Sequence, residues 1–376
     1  MNKFQQNLYI ELMNLSEGFE AFYYKDFPLE DTTYRIFNYR LASYTDFLQP
    51  GALECRGIMF EVCGDEAIRL ASFPMEKFFN LNENPFTMGL DLSEIQSIEL
   101  KVDGSLISTF HHNGRLLCKS KGSINSYQAQ RSNVLIERNE TLHKEIEELA
   151  RHGMTVNMEY LPRADSEHRV VIGHQEEGLV VLSVRNNETG AYHSPHMLTA
   201  YPALLTHWVK HVTPDDPEEF VKQIGNMEDV EGYIVYLPHI CFKAKTLWYL
   251  TQHRAKDSVN SPRRLYEAVI AEATDDLRSL FFSDAIVLEK IDAMEQKVGH
   301  WYNELVEQVE TFYDDNQDLE RKWYAIKGQK ELPKIVFGLA MQKYTGREIN
   351  YKEFMIKKWK EFGIKDEEET ENGVLH

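Results

Sequence analysis

The sequence contains few cysteines and no long apolar run. Its four cysteines, Cys55, Cys63, Cys118 and Cys241, include no CxxC pair among 376 residues. This spacing matches neither a disulfide scaffold nor a structural zinc site and is typical of a reducing compartment. The longest apolar run, Gly178 to Val184, is too short to span a bilayer, and the N-terminal segment lacks the apolar core of a secretory signal. We therefore expect a soluble cytoplasmic protein.

Two common phosphate-binding loops are also missing, because neither GxxxxGK[ST] nor GxGxxG occurs. If the chain binds a nucleotide, side chains must hold the phosphates. The net charge of -19 disfavours a polyanionic partner over the whole surface, but local groups among the 41 Lys and Arg residues can still bind phosphates. Part of the negative charge comes from the acidic run between Lys365 and Gly373, for which we expect a solvated terminus.

The hydrophobic pattern changes once along the chain and predicts two domains. A helical stripe at the N-terminus is followed, between about residues 34 and 249, by short β-type runs with one long helix over 132–151. Beyond about residue 256 the pattern is helical, over 262–282, 291–312 and 333–344. We predict the α+β class, with an antiparallel-sheet domain over 1–255 and an all-α domain with an acidic tail over 256–376.

Period-two alternation on several strands places charged side chains on one face. Lys243 and Lys245 lie on the face opposite the apolar residues of their strand, and Lys119 and Lys121 also share a face. Glu159 lies opposite three apolar neighbours. The solvated side of an antiparallel sheet commonly carries such residues, so each strand alone has a structural interpretation. Together they indicate a polar site lined by strands.

The most specific motif is Lys101-Val-Asp-Gly-Ser, which ends a strand at a carboxylate and a turn-forming glycine. Average residue frequencies place KxDGS in fewer than about one in a hundred proteins of this length. Two further motifs follow in the chain, Glu231-Gly-Tyr-Ile-Val and Phe242-Lys-Ala-Lys. Their order and separation suit one domain, so the three motifs together predict one catalytic site.

These motifs resemble those of the covalent nucleotidyltransferases, which include ATP-dependent DNA and RNA ligases and messenger-RNA capping enzymes. Longer segments, beginning at Tyr34, Leu53, Pro74 and Lys119, are similar to the ATP-dependent RNA ligase family of T-even phages, which rejoins nicked transfer RNA. The resemblance spans about residues 34–255 and fades in the helical region. It implies that residues 1–255 form an adenylyltransferase (nucleotidyltransferase) domain, that ATP and Mg²⁺ are the cofactors, and that a monomer acts on RNA, specifically nicked tRNA.

The resemblance also implies the chemistry. Lys101 would attack the α-phosphate of ATP and carry AMP, the RNA 5′-phosphate would take the AMP, and a 3′-hydroxyl would then seal the strand. A free lysine has a pKa of about 10.4 and attacks only as the neutral amine. We expect Lys243, Lys245 and a magnesium ion to favour that neutral form through positive charge and to stabilise the leaving pyrophosphate.

Roles for individual residues come from the same resemblance. The catalytic residues would be Lys101, Asp103, Glu159, Glu231 and Tyr249. The ATP ligands would be Tyr39, Arg56, Lys77, Lys101, Glu159, Lys243 and Lys245. The substrate ligands would be Lys119 and Lys121, and the metal ligands Glu231 and Asp275. Two structural alternatives stay open at this point: Arg56 could pair with Glu54 or Glu61, and Asp275 could cap a helix.

Other functions also fit part of the sequence. A DNA ligase or a capping enzyme would share KxDG, but those relatives continue into a small β-barrel, whereas this chain turns helical after Tyr249. A catalytically idle RNA-binding module would leave the coexistence of Lys101, Glu159, Glu231 and the paired lysines unexplained. We therefore expect an ATP-dependent RNA ligase that joins 5′-phosphate and 3′-hydroxyl ends.

Overall fold

The computed structural model describes residues 1–166, 172, 174–252, 259 and 261–364. The chain divides into two compact units, 1–253 and 254–376. The acidic run from Lys365 to Gly373 lies outside the described residues, as does the predicted domain boundary at 255/256, which stays a prediction. Among the helices in the described ranges, none has the length and apolar character needed to cross a membrane.

The first unit contains three β-sheets. Its strands are β1 (Phe22–Leu29), β2 (Thr32–Tyr39), β3 (Ile58–Cys63), β4 (Glu66–Ser72), β5 (Phe79–Asn80), β6 (Ser97–Lys101), β7 (Ser105–His112), β8 (Arg115–Ser120), β9 (Met154–Leu161), β10 (Gly178–Asn186), β11 (Tyr192–His193), β12 (His211–Val212), β13 (Gly232–Tyr236) and β14 (Cys241–Lys245). The sheet orders are β1-β2-β3-β4, β11-β10-β9-β7-β8 and β12-β6-β13-β14-β5. Of the pairings between these strands only that of β14 with β5 is parallel, so the predicted antiparallel α+β architecture is confirmed.

Helices flank these sheets and build the second unit. Those of the first unit are α1 (Lys3–Gly18), α2 (Tyr127–Arg138), α3 (Glu140–Arg151), α4 (Pro202–Thr206), α5 (Pro217–Gln223) and α6 (Leu247–Gln252). Those described in the second unit are α7 (Pro262–Ile270), α8 (Thr274–Leu280), α9 (Ala285–Asn316), α10 (Arg321–Glu331), α11 (Lys334–Tyr344) and α12 (Tyr351–Lys357). The helical character predicted for the C-terminal region is confirmed.

The single helix predicted over 132–151 is wrong in detail, because two helices occupy this stretch. Asn139 leaves the helical conformation (φ -110°, ψ 88°), and its side chain accepts a hydrogen bond from the Leu142 amide. Asparagine favours this N-cap position because its oxygen satisfies an amide at the start of a helix. The helical stretch predicted over 262–282 likewise forms two helices, α7 and α8, which are separated by Glu272 at φ 56°.

The third sheet has one apolar and one polar face, as alternation predicts. Ile98, Val235, Phe242 and Ala244 are buried in one hydrophobic cluster. The residues between them in sequence, on β6, β13 and β14, therefore face the opposite side. That side forms part of the pocket described next.

Candidate active site

A pocket of about 530 Å³ lies in the first unit, lined by strands of the second and third sheets, by several adjoining loops and by Gln128 of α2. This volume is in the range typical of small-molecule sites. Six of the residues predicted from sequence line it: Arg56, Lys101, Lys121, Glu159, Lys243 and Lys245. Strands distant in sequence thus bring the KxDG lysine, the paired lysines and one carboxylate to the same cavity.

Strand register explains how the three motifs meet. On the third sheet Gly232 of β13 lies directly opposite Lys101 of β6 on one side and Lys245 of β14 on the other. Glu231 therefore enters between the two lysines. Its Oε1 lies 2.6 Å from the Lys101 Nζ and 3.6 Å from the Lys245 Nζ. The two ammonium groups consequently share one carboxylate.

Glycine is required beside this carboxylate. Gly232 has φ +154°, and a Cβ there would lie 2.1 Å from the Ala244 carbonyl oxygen. Any side chain would push β13 and β14 apart. The Glu-Gly pair of the motif thus has a structural reason, because the glycine lets the strands close around Glu231.

Glu231 is only 2% exposed and incompletely satisfied. Its Oε2 forms no hydrogen bond with any part of the chain that the structure describes. A buried carboxylate oxygen without a donor is costly unless a cation or donor completes it. The sequence predicts positive charges around Lys101. The structure adds a negative one, because the Glu231 carboxylate lies 2.6 Å from the Lys101 Nζ.

Glu159 lies on β9 at the pocket wall, close to the KxDG turn. Gly104 allows this approach, because a Cβ at that position would lie 2.7 Å from the Glu159 Cγ and 2.4 Å from the Tyr160 carbonyl oxygen. Desolvation raises the pKa of Glu159 to about 8, with Lys101 opposing the shift and Glu231 adding to it. Glu159 is thus a carboxyl group that favours its protonated form in the absence of a ligand.

Asp103 and Tyr249 are joined to each other. The Tyr249 hydroxyl donates to the Asp103 Oδ1 at 3.0 Å, and the Ile172 amide donates to Oδ2 at 2.9 Å. Both side chains are buried. Tyr249, one of the predicted catalytic residues, therefore contacts the KxDG loop through its aspartate.

The alternative ion pairs for Arg56 are not formed. The Glu54 carboxylate instead binds Arg185, at 2.6 Å and 2.8 Å, and Glu61 binds Arg69 at 2.6 Å. Arg56 donates to the Met75 carbonyl oxygen at 3.1 Å and lines the pocket. This observation favours its predicted role as an ATP ligand over a purely structural one.

The other predicted ATP ligands form an aromatic and basic group next to the pocket. The Lys121 Nζ lies 4.1 Å from the centre of the Tyr39 ring, and the Lys77 Nζ lies 5.8 Å from the same ring. The Lys77 amide also donates to the Leu53 carbonyl oxygen at 2.7 Å. Tyr39 and Lys77 are thus brought beside Lys121, although neither lines the pocket itself.

Lys119 and Lys121 do not share the pocket. Lys119 is completely buried and donates to the Ser120 carbonyl oxygen at 3.0 Å. Burial, together with the nearby Arg56, lowers its pKa to about 7. The prediction that the two lysines share a strand face is wrong, because β8 ends at Ser120, before Lys121. Substrate binding by Lys119 has no support in this arrangement.

Asp275, the second predicted metal ligand, belongs to the second unit. It lies in the first turn of α8, where Ala273 occupies the N-cap position, and its Oδ1 accepts from the Asp276 amide at 3.0 Å. Metal binding by Asp275 stays a prediction. Throughout the described ranges, no group of three or more His, Cys, Asp or Glu residues has metal-binding geometry.

Sequence reasoning missed several residues of the site. Glu99 and Tyr236 line the pocket, with the Tyr236 hydroxyl donating to Glu99 at 2.9 Å, and desolvation raises the pKa of Glu99. Alternation already placed Glu99 on the face of Lys101, so this residue was accessible to prediction. Phe78 and Gln128 also line the pocket and carried no comparable signal.

Comparison with known families covers both units. The model of the RNA ligase family matches residues 54–251, and that of the T4 RNA ligase 1 C-terminal domain matches residues 256–369. A putative RNA ligase of Thermovibrio ammonificans is 26% identical over 309 residues, covering 79% of each chain. RNA ligase 1 of bacteriophage TS2126 is 27% identical over 276 residues, covering 69% of this chain and 66% of that protein.

Among solved structures, the RNA ligase of Naegleria gruberi with PPi gives a TM-score of 0.39 at 13% identity, covering 50% of this chain and 61% of that one. The family matches confirm the resemblance inferred from the motifs, and the first extends over more than half of the chain. The protein therefore belongs to the RNA ligase family.

Proposed function

We propose that this protein is an ATP-dependent RNA ligase in which Lys101 carries the activated AMP. One observation carries the proposal: Lys101 and Lys245 converge on the buried carboxylate of Glu231 at the wall of a pocket large enough for a nucleotide. Lys243 and Arg56 line the same pocket and add positive charge. A lysine nucleophile among cations, with no phosphate-binding loop, suits attack on a polyphosphate.

In the first step the Lys101 amine attacks the α-phosphorus of ATP. The N–P bond forms, the bond between the α-phosphorus and its bridging oxygen breaks, and pyrophosphate leaves with the electron pair. The Lys101 Nζ lies 2.6 Å from the Glu231 Oε1, and only a neutral amine is nucleophilic. Lys101 would therefore separate from Glu231 and give up its ammonium proton to solvent water before it attacks. Lys243, Lys245 and Arg56, which line the pocket, would bind the phosphate oxygens meanwhile.

The chemistry of Glu231 suits a divalent cation. A carboxylate oxygen that is buried and has no donor among the described residues is the type of ligand that Mg²⁺ or Mn²⁺ prefers. Glu231 would hold the ion, and we propose Mg²⁺ as the physiological metal. When bound, it would supply positive charge to the phosphate oxygens. The resemblance separately implies a metal-binding role for Asp275.

The remaining steps transfer AMP and seal the strand. An oxygen of the RNA 5′-phosphate attacks the adenylate phosphorus, the N–P bond breaks, and Lys101 regains a proton. The 3′-hydroxyl of the second end then attacks the 5′-phosphate, loses its proton and expels AMP. Tyr249 supports these steps by holding Asp103 beside the nucleophile.

Covalent labelling tests the proposal directly. The wild-type chain, incubated with α-labelled ATP and Mg²⁺, should gain label and a mass of about 329 Da, the value expected for one covalently captured AMP. A Lys101→Ala variant should gain none, whereas the control Lys144→Ala, at an exposed position on α3, should be labelled fully. Label on the Lys101→Ala protein would refute the assignment.

The finer substrate assignment has its own test. We propose that the physiological substrate is tRNA nicked in its anticodon loop, sealed in the cytoplasm by a monomer. Matched RNA and DNA strands with 5′-phosphate and 3′-hydroxyl ends should show preferential sealing of RNA, and nicked tRNA should outcompete both. Equal sealing of DNA would instead favour the DNA ligase alternative. Sedimentation of the protein in the presence of ATP and nicked tRNA would test whether it acts as a monomer.

A further inference from the structure

The second unit carries a strongly basic segment in an otherwise acidic protein. Residues 321–347 contain seven Lys and Arg residues and one carboxylate, Glu331, while the whole chain carries a net charge of -19. This segment comprises α10 and α11. Such a local reversal of charge in an acidic chain favours a polyanionic partner over a random distribution.

Two of the four basic residues of α10 lie on its exposed side. Tyr324 and Gly328 face the interior of the second unit. At about 100° per residue, Lys322, Ile326 and Lys330 form a stripe on the opposite side. All three are exposed. We call this stripe, together with the exposed Trp323 and Gln329 beside it, the outer face of α10.

The carboxylates within and immediately before α10 lie outside this stripe. Glu331 is rotated by about 100° from Lys330 and lies 3.9 Å from the Lys327 Nζ on the flank of the helix. Glu320, which precedes the first turn, falls on that same flank. Lys322 and Lys330 form no ion pair with any residue in the described parts of the chain. Their charge is therefore available to an external anion.

Trp323 gives the outer face a second, independent feature. This tryptophan is 55% exposed, and the Lys322 Nζ lies 5.4 Å from its ring centre. Ile326, three residues further along the helix, is 48% exposed, so the two side chains form one exposed apolar patch between Lys322 and Lys330. Aromatic rings flanked by lysines bind single-stranded nucleic acids, because bases stack on the ring while phosphates contact the cations.

We infer that the outer face of α10 is a binding surface for single-stranded RNA, with Trp323 as a base-stacking platform and Lys322 and Lys330 as phosphate ligands. The inference rests on the proposed function in one respect only, namely that the substrate is RNA. The face belongs to the second unit and contains none of the pocket residues. It would thus contribute affinity and substrate choice without taking part in nucleotidyl transfer.

Binding of a labelled single-stranded RNA to the full-length chain tests the inference. The probe lacks a 5′-phosphate and ATP is omitted, so that no sealing occurs. Trp323→Ala should weaken binding by about fivefold or more, the lower end for loss of one base–aromatic stack. Lys322→Gln/Lys330→Gln should reduce the slope of log K against log salt by about 1.4, because each lysine that neutralises a phosphate of a single strand contributes about 0.7.

Matched controls separate this surface from general charge and hydrophobicity. Lys290→Gln/Lys297→Gln removes two exposed charges from α9, and Phe282→Ala removes another exposed aromatic side chain of the same unit. Both controls should bind the RNA as the wild type does. Covalent labelling by ATP should be unchanged in all four variants, which shows that the first unit is intact.

Three results would overturn the inference. The first is that both α10 variants bind the RNA with the same affinity and the same salt slope as the control variants. The second is the absence of RNA binding by a wild type that is labelled normally by ATP. The third is loss of binding to vesicles of phosphatidylcholine and phosphatidylserine without loss of RNA binding, which would assign the face to a membrane. Failure of wild-type labelling by ATP would count against the proposed function alone.

Discussion

Arg185 binds Glu54 with two charge-assisted hydrogen bonds, from Nη2 at 2.6 Å and from Nη1 at 2.8 Å. The same Nη1 donates to the Pro74 carbonyl oxygen at 2.8 Å. Glu54 lies two residues before Arg56, and Pro74 lies three residues before Lys77. One buried guanidinium therefore fixes the two segments that carry Arg56 and Lys77, two of the predicted ATP ligands.

We predict that Arg185→Lys raises the KM for ATP in the labelling reaction by about tenfold and changes the saturated rate little. Lysine cannot reproduce the bidentate contact, and one charge-assisted hydrogen bond contributes about 1.5 kcal/mol. Sealing of pre-adenylylated RNA needs no ATP and should stay close to the wild-type rate. The control is Arg69→Lys, which alters a more exposed ion pair that the Arg69 Nε makes with Glu61. Equal losses in both reactions would indicate a merely structural role.

The carboxylate between the two lysines gives a second prediction. Glu231→Gln should raise the half-saturating concentration of Mg²⁺ in the labelling reaction by about tenfold or more, since loss of a metal-site partner typically costs that much. The reason is that its unsatisfied Oε2 is the proposed cation ligand. Glu177→Gln, which alters an ion pair with Arg131, should leave the Mg²⁺ dependence unchanged. If Glu231→Gln needs the same Mg²⁺ concentration as the wild type, Glu231 does not hold the metal.

Glu159 predicts a pH dependence of stability. Its pKa is about 8 in the folded protein against 4.5 for the ordinary group, so the native state binds more protons between these values. The contribution of Glu159 to the free energy of unfolding is complete below about pH 4.5 and lost as pH rises through about 8. Relative to Glu159→Gln, the wild-type Tm should therefore fall by about 2 °C or more between these limits. Parallel Tm curves would contradict the prediction.

For Lys119 we predict the opposite dependence of stability on pH. The pKa of Lys119 is about 7 in the folded protein against 10.5 for the ordinary group. Between these pH values the native state therefore binds fewer protons than the unfolded state. Stability is then lost as pH falls from about 10.5 through 7. Lys119→Met should raise the Tm most at neutral pH and progressively less towards alkaline pH. Lys121→Met, at the pocket wall, should give no such gain, and a lower Tm for Lys119→Met at neutral pH would refute the prediction.

Alternation and motif order predicted the strands and much of the pocket because both depend on local sequence. Lys101, Lys243 and Lys245 occupy the face that their strands require. The pairing of Lys101 with Glu231 was not predictable, since it depends on the register between β6 and β13, which are far apart in sequence. The break at Asn139 escaped the helical periodicity because an N-cap asparagine hardly alters that pattern.

The bond between Asp103 and Tyr249 has a consequence for shortened versions of the catalytic unit. Every strand of the first unit is complete by Lys245, so an end point there would keep all three sheets. It would, however, remove the phenol that anchors the KxDG aspartate. We therefore expect the smallest autonomous adenylating fragment to extend through α6, although none of the side chains described on that helix lines the pocket.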